Sequence, residues 1–152
     1  MKMKNARRRQ NGFTLLEVVI AIAIVALLAA VILPGLLKNR DDAQYSAALT
    51  QLQKDFPSAI TRQLARTNQC TAGTMTTNNL RTRGLPQNTV WGVAWDAAYN
   101  AGTNRVVISY PLTNSDDPAT VGADLVTALT ASNNVAAAAV AGNNLTVQYR
   151  CN

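Results

Sequence analysis

The sequence predicts an α+β fold: a long N-terminal helical spine whose C-terminal half packs on an antiparallel sheet of three to four strands. Three observations carry this expectation. Residues 13–37, FTLLEVVIAIAIVALLAAVILPGLL, contain a single ionisable side chain, Glu17. Beyond them Tyr45, Leu49, Leu52, Phe56, Ile60 and Leu64 recur at intervals of three or four, the stripe of an amphipathic helix. Near the C-terminus Leu145, Val147, Tyr149 and Cys151 alternate with Thr146, Gln148 and Arg150, the pattern of a half-buried strand.

Taken in order, the chain opens on a basic segment with Lys2, Lys4, Arg7, Arg8 and Arg9, and changes abruptly after Gly12. Val18 to Leu33 is an unbroken run of 16 apolar residues, and Pro34 to Leu37 extend it to the length of about 20 residues that spans a bilayer as helix. Positive charge before the run holds the N-terminus in the cytoplasm and sends the rest outward. A secretory signal is cut after its apolar region, near small residues. Here the small residue, Gly12, precedes that region, so cleavage between Gly12 and Phe13 keeps the helix and gives it a new aromatic N-terminus. The expected divisions are a leader at 1–12, a membrane helix at 13–37, the amphipathic half of the spine at 38–66 and a head at 67–152.

The spine is predicted to run from Phe13 to about Ala65, roughly 80 Å at about 1.5 Å per residue. Pro34 and Pro57 lack the N–H that would bond Ala30 and Gln53, and each predicts a kink or an unwound turn. Residues 67–89, rich in Thr, Asn and Gly, read as a loop tied down by Cys70. Val90 to Trp95 and Val106 to Tyr110 read as strands around a turn at Asn100, Gly102 and Asn104. Asp116 and Asp117 before Pro118 mark a helix start, with Val121, Leu125 and Leu129 on one face. Val135 to Val140 and Leu145 to Cys151 read as a hairpin.

Composition excludes several functions. The net charge is +6, but five of the fourteen basic residues lie in the first nine positions. Without the leader, nine basic residues face eight acidic ones, so charge does not support DNA binding. Histidine is absent from the sequence, which removes the commonest general base and the commonest neutral metal ligand. No enzyme activity and no cofactor are expected. Cys70 and Cys151 belong to no CxxC pair and read as a structural disulfide, made outside the cytoplasm. Asp116, Asp117 and Asp124 are read as helix capping and solvated charge rather than a calcium site. Trp91, Trp95, Tyr99 and Tyr110 are read as core rather than as a stacking platform for bases.

Arg7 to Arg9, Gly12, Phe13, Thr14, Leu15, Leu16 and Glu17, with the apolar run ending at Pro34, resemble the prepilin leader and N-terminal helix of type IV pilins and their type II secretion relatives. The resemblance covers residues 7 to about 40; the short leader and phenylalanine start look like the type IVa subgroup. It implies a pilin fold, a prepilin peptidase that cuts after Gly12 and methylates the amine of Phe13, and an assembly role for Glu17. Pro34 and Gly35 become the place where the helix loses helicity on packing. The implied partners are further copies of the subunit, an inner-membrane assembly platform and an ATPase. The implied location is the inner membrane, then an extracellular type IV pilus serving attachment, twitching motility or DNA uptake. The alternative is a periplasmic pseudopilin of type II secretion, or a minor pilin; the cysteine pair leans toward the pilin, since major pseudopilins often lack one. A carboxylate in an apolar helix costs about 2.5–3.5 kcal/mol on insertion scales, so Glu17 is expected to pair with the Phe13 amine of a neighbouring subunit.

Overall fold

The computed structural model describes residues 13–151, without the side chains of Leu36 and Leu37. The leader and Gly12 lie outside the described residues. The chain forms two compact units that divide after Asn39.

Helix α1 (Leu15–Thr50) begins immediately after Thr14, and its residues up to Asn39 belong to the first unit. Its apolar residues face outward all round: Leu15 is 83% exposed, Leu27 72% and Val31 79%. By length and composition this helix is able to cross a membrane. Of the two forms of interruption expected at Pro34 and Gly35, the unwound turn is not seen in the single chain, where α1 runs through both residues as helix. A single proline removes one intrahelical hydrogen bond, and the flanking turns carry the helix past it.

In the second unit the spine continues as a π turn at Gln51–Asp55 and helix α2 (Phe56–Thr67), two residues beyond the expected end. Asn68 closes α2 at φ +52°, its N–H donating to the Leu64 carbonyl at 2.7 Å. The interruption expected from Pro57 is this π turn. The Phe56 N–H reaches back five residues to the Gln51 carbonyl. In that wider register the Leu52 carbonyl faces Pro57, which has no N–H to give. The Tyr149 hydroxyl supplies the missing donor at 2.6 Å, and the Tyr110 hydroxyl donates to Gln51 Oε1 at 2.6 Å. Burial pushes both phenols well above their usual range, so both remain protonated donors.

The sheet is four-stranded and antiparallel in the order β1-β2-β4-β3, from β1 (Asp96–Asn100), β2 (Arg105–Pro111), β3 (Val135–Ala141) and β4 (Asn144–Arg150). In β2, Val106, Ile108 and Tyr110 point inward, and in β4, Leu145, Val147 and Tyr149 do the same. They meet Leu52, Phe56, Ala59 and Ile60 of the spine, all buried. Phe56 is the hub, edge-on to Trp95 with ring centroids 4.9 Å apart and stacked at 6.3 Å on Tyr149.

Two expectations are corrected. Val90 to Trp95 is no strand: Gly92 takes φ +79°, the Gly92 N–H donates to Thr89, and the segment makes an isolated bridge between Asn88 and Ala94. The strand that pairs with β2 on that side is instead β1. The loop at 67–89 contains helix α3 (Thr77–Arg81), capped by the Thr76 side chain, which accepts from the Asn79 N–H.

Helix α4 (Pro118–Thr130) starts where the sequence places it, with Asp117 as its cap. It lies so close to β3 that a Cβ on Gly122 would come 2.6 Å from Val140 Cγ2 and 3.2 Å from Leu112 Cδ1. Alanine improves helix propensity by up to about 1 kcal/mol, but overpacking of this size costs about 1–3 kcal/mol. Gly122→Ala is therefore expected to destabilise the head by about 1 kcal/mol. Calorimetry of the fragment from Lys38 would show this as a melting temperature lower by about 5 °C.

Candidate assembly interface

The residues singled out by sequence fall at separate places. At the start of α1, Thr14 Oγ1 accepts from the Glu17 N–H at 3.3 Å, and the Thr14 carbonyl accepts from the N–H groups of Glu17 and Val18 at 3.0 and 3.3 Å. Thr14-Leu15-Leu16-Glu17 is thus a capping-box sequence, and Glu17 sits in the first turn, where free N–H groups and the helix dipole favour a carboxylate. The sequence reading missed this local support, although the Thr-x-x-Glu spacing signals it. Phe13 is 83% exposed, and Phe13, Glu17, Ala21 and Val25 share one side of the helix, uncovered among the described residues. An apolar surface this continuous, with one carboxylate at its end, fits lipid or other helices of its own kind.

Further along, a Cβ at Gly35 would meet nothing within 4 Å among the described residues, so no contact there requires a glycine. Cys70 and Cys151 are joined as a disulfide, with Cα atoms 6.2 Å apart across a sequence separation of 81. The bridge ties the residues after α2 to the end of β4 and encloses nearly the whole head.

The acidic residues act structurally where their contacts are defined. Asp117 Oδ1 accepts from the Thr120 N–H at 3.1 Å and Oδ2 from the Thr120 hydroxyl at 2.7 Å. These bonds lower its carboxyl below the usual range. Among the described residues no three Asp, Glu or Cys side chains are grouped to hold a metal ion. Trp91, Trp95 and Tyr110 are buried, and the Trp95 Nε1–H donates to the Pro86 carbonyl at 2.7 Å, so these rings offer no face for stacking bases.

The family model for the prokaryotic N-terminal methylation motif matches residues 7–33. The chain is 41% identical over 46 residues to the type II secretion system core protein G of Aeromonas hydrophila, covering 30% of this chain and 32% of that protein. It is 42% identical over 45 residues to the core protein G of Vibrio cholerae serotype O1, covering 30% and 31%. The corresponding protein of Dickeya chrysanthemi is 40% identical over 45 residues, covering 30% and 29%. The matches span about a third of the length of these curated relatives. No solved structure matches the chain.

Proposed function

We propose that the chain is a member of the type IV pilin and pseudopilin family, a structural subunit that polymerises through its N-terminal helix into a pseudopilus-type filament of the cell envelope. The observation that carries this reading is an exposed apolar helix whose first half lies within the matched N-terminal methylation motif.

The mechanism follows from solvent. In the inner membrane the helix of residues 13–37 lies among lipid tails as apolar as itself, so association there gains little from burial. A prepilin peptidase cuts after Gly12, leaving Phe13 with a methylated, positively charged amine. Once the helix leaves the lipid, neighbouring copies cover it. Burying roughly 1,000 Å² of apolar surface per subunit yields on the order of 25 kcal/mol before entropic costs. Extraction must be driven, which is the work of an assembly platform and an ATPase. Glu17 of one copy pairs with the Phe13 amine of the next and fixes their axial register. Pro34 and Gly35 lose helicity as the subunit packs, one intrahelical bond there being already absent.

The secretion reading is favoured by the relatives, each a type II secretion core protein G. The second reading, an extracellular pilus, is compatible with the disulfide, since such bridges form both in the periplasm and outside the cell. Shearing cells and separating surface material from envelope distinguishes the two. A pseudopilin stays in the envelope, and its deletion leaves exported proteins trapped in the periplasm. Sheared filaments built of this subunit would replace that reading with the pilus. A subunit found in no polymer would overturn both.

A further inference from the structure

The charges of the head are nearly balanced in number but not in placement. Asp41 of α1 borders one surface depression with Asp116 and Asp117, and a second with Asp42 and Asp124. Five carboxylates therefore border two neighbouring depressions that share Asp41, where α1 passes the start of α4, and Arg40 lies near Asp41. Partial burial, and then the neighbouring Asp116, raise the Asp41 carboxyl above its usual range. Like charges are held together here.

The opposite end of the head is basic. Arg62 and Arg66 lie on α2, and Arg62 Nη1 donates to the Arg83 carbonyl at 3.1 Å. Arg150 ends β4 directly opposite Arg105 of β2 and lies beside Ile60 and Leu64 of α2. The hydrogen-bond partners of these arginines are neutral: Ser58 for Arg62, Thr82 for Arg83 and Gln148 for Arg105. The two ends are far apart. Asp42 and Arg62 are separated by about 30 Å of spine at about 1.5 Å per residue. The sheet agrees in direction, since β2 runs from Arg105 to Pro111 and leads on toward Asp116.

We propose that the two ends are the halves of one head-to-tail contact, in which Asp41, Asp42, Asp116 and Asp124 of one copy receive Arg62, Arg66, Arg83 and Arg150 of a second copy. This inference rests on the filament reading and names its head contact. Two different surfaces of one chain that complement each other make a heterologous contact, which repeats without closing and so builds an open polymer. Complementary charge also fixes which way the incoming head faces, because the reversed copy would set carboxylates against carboxylates. Asp117 contributes less, its oxygens being engaged by Thr120.

The test uses the full chain in cells that assemble it. Asp116→Arg with Asp124→Arg is expected to lower the polymerised fraction at least tenfold, and Arg62→Asp with Arg83→Asp to do the same. In both cases the membrane-bound subunit should be cut and disulfide-bonded normally, which shows that it folds. Combining all four reversals in one chain exchanges two charges between the ends, so that each new arginine again meets a new aspartate, and is expected to restore assembly at least in part. Single-end reversals that polymerise like wild type would overturn the proposal, as would a four-fold variant as defective as its parents. If assembly fell with a chelator of divalent cations and charge exchange gave no rescue, the acidic end would serve a metal ion and the proposal would fall. Failure of the filament reading itself is separately visible, because wild type would then form no polymer.

Discussion

Glu17→Leu is expected to abolish assembled filaments while membrane-bound subunit accumulates. The substitution removes the one charge in the apolar helix, so membrane retention is kept or improved. The Thr14 cap is untouched, because its hydroxyl accepts from the backbone N–H of residue 17, which leucine also supplies. What is lost, on the proposed pairing, is the partner of the Phe13 amine. An ammonium left unpaired among packed helices costs several kcal/mol, and every 1.4 kcal/mol is about tenfold in an association constant. The expected loss of polymer is a hundredfold or more, read by immunoblot of sedimented filaments. Glu17→Gln separates the two roles of the residue, since glutamine still completes a capping box but carries no charge. Wild-type assembly by the Glu17→Gln variant would assign Glu17 to the cap and end the pairing account.

Cys70→Ser with Cys151→Ser is the second large effect, and it acts on the head rather than on assembly. The bridge spans a separation of 81 residues. In the chain-entropy model a loop of that size is worth up to about 4.5 kcal/mol, with typical measured values of about 2–4 kcal/mol. The fragment from Lys38 to Asn152 should therefore melt roughly 10–20 °C lower without it. Reduction of the wild-type fragment should give the same shift, and equal melting temperatures in the two redox states would show that the bridge constrains nothing.

The parts of the fold legible in the sequence are those where one side chain after another meets the same surface. The spine stripe from Tyr45 to Leu64 and the alternation from Leu145 to Cys151 each record a single buried face. Strand β1 was not legible, because Asp-Ala-Ala-Tyr-Asn has little strand preference of its own and is held by pairing with Val106 to Ser109. The residues before it, Val-Trp-Gly-Val-Ala-Trp, look like a strand, yet Gly92 at positive φ turns the chain so that Trp91 and Trp95 both enter the core. Pro57 announced an interruption but not its form, since the donor that satisfies the Leu52 carbonyl comes from Tyr149, 97 residues later. Gly122 was equally silent, its reason being the side chain of Val140 on another element.

The proposed assembly site was legible in type and not in detail. Gly12, Phe13 and Glu17 stand out because a small residue, an aromatic and a carboxylate flank an apolar run. The Thr14 cap was written in the same residues and was passed over in favour of the longer-range pairing. The polarity of the head was hidden for a physical reason: nearly equal numbers of acidic and basic residues reveal nothing about position until the fold gathers Asp41, Asp116 and Asp124 at one end and Arg62 and Arg150 at the other.

The most direct test of a subunit cut from a leader and held in a polymer by its own N-terminal helix is the intact mass and N-terminal sequence of the assembled protein. The account predicts a chain that begins at an N-methylated Phe13, keeps the whole apolar helix and carries the Cys70–Cys151 bridge. A polymerised chain that still bears Met1 to Gly12, or one that begins beyond Leu37, would contradict it.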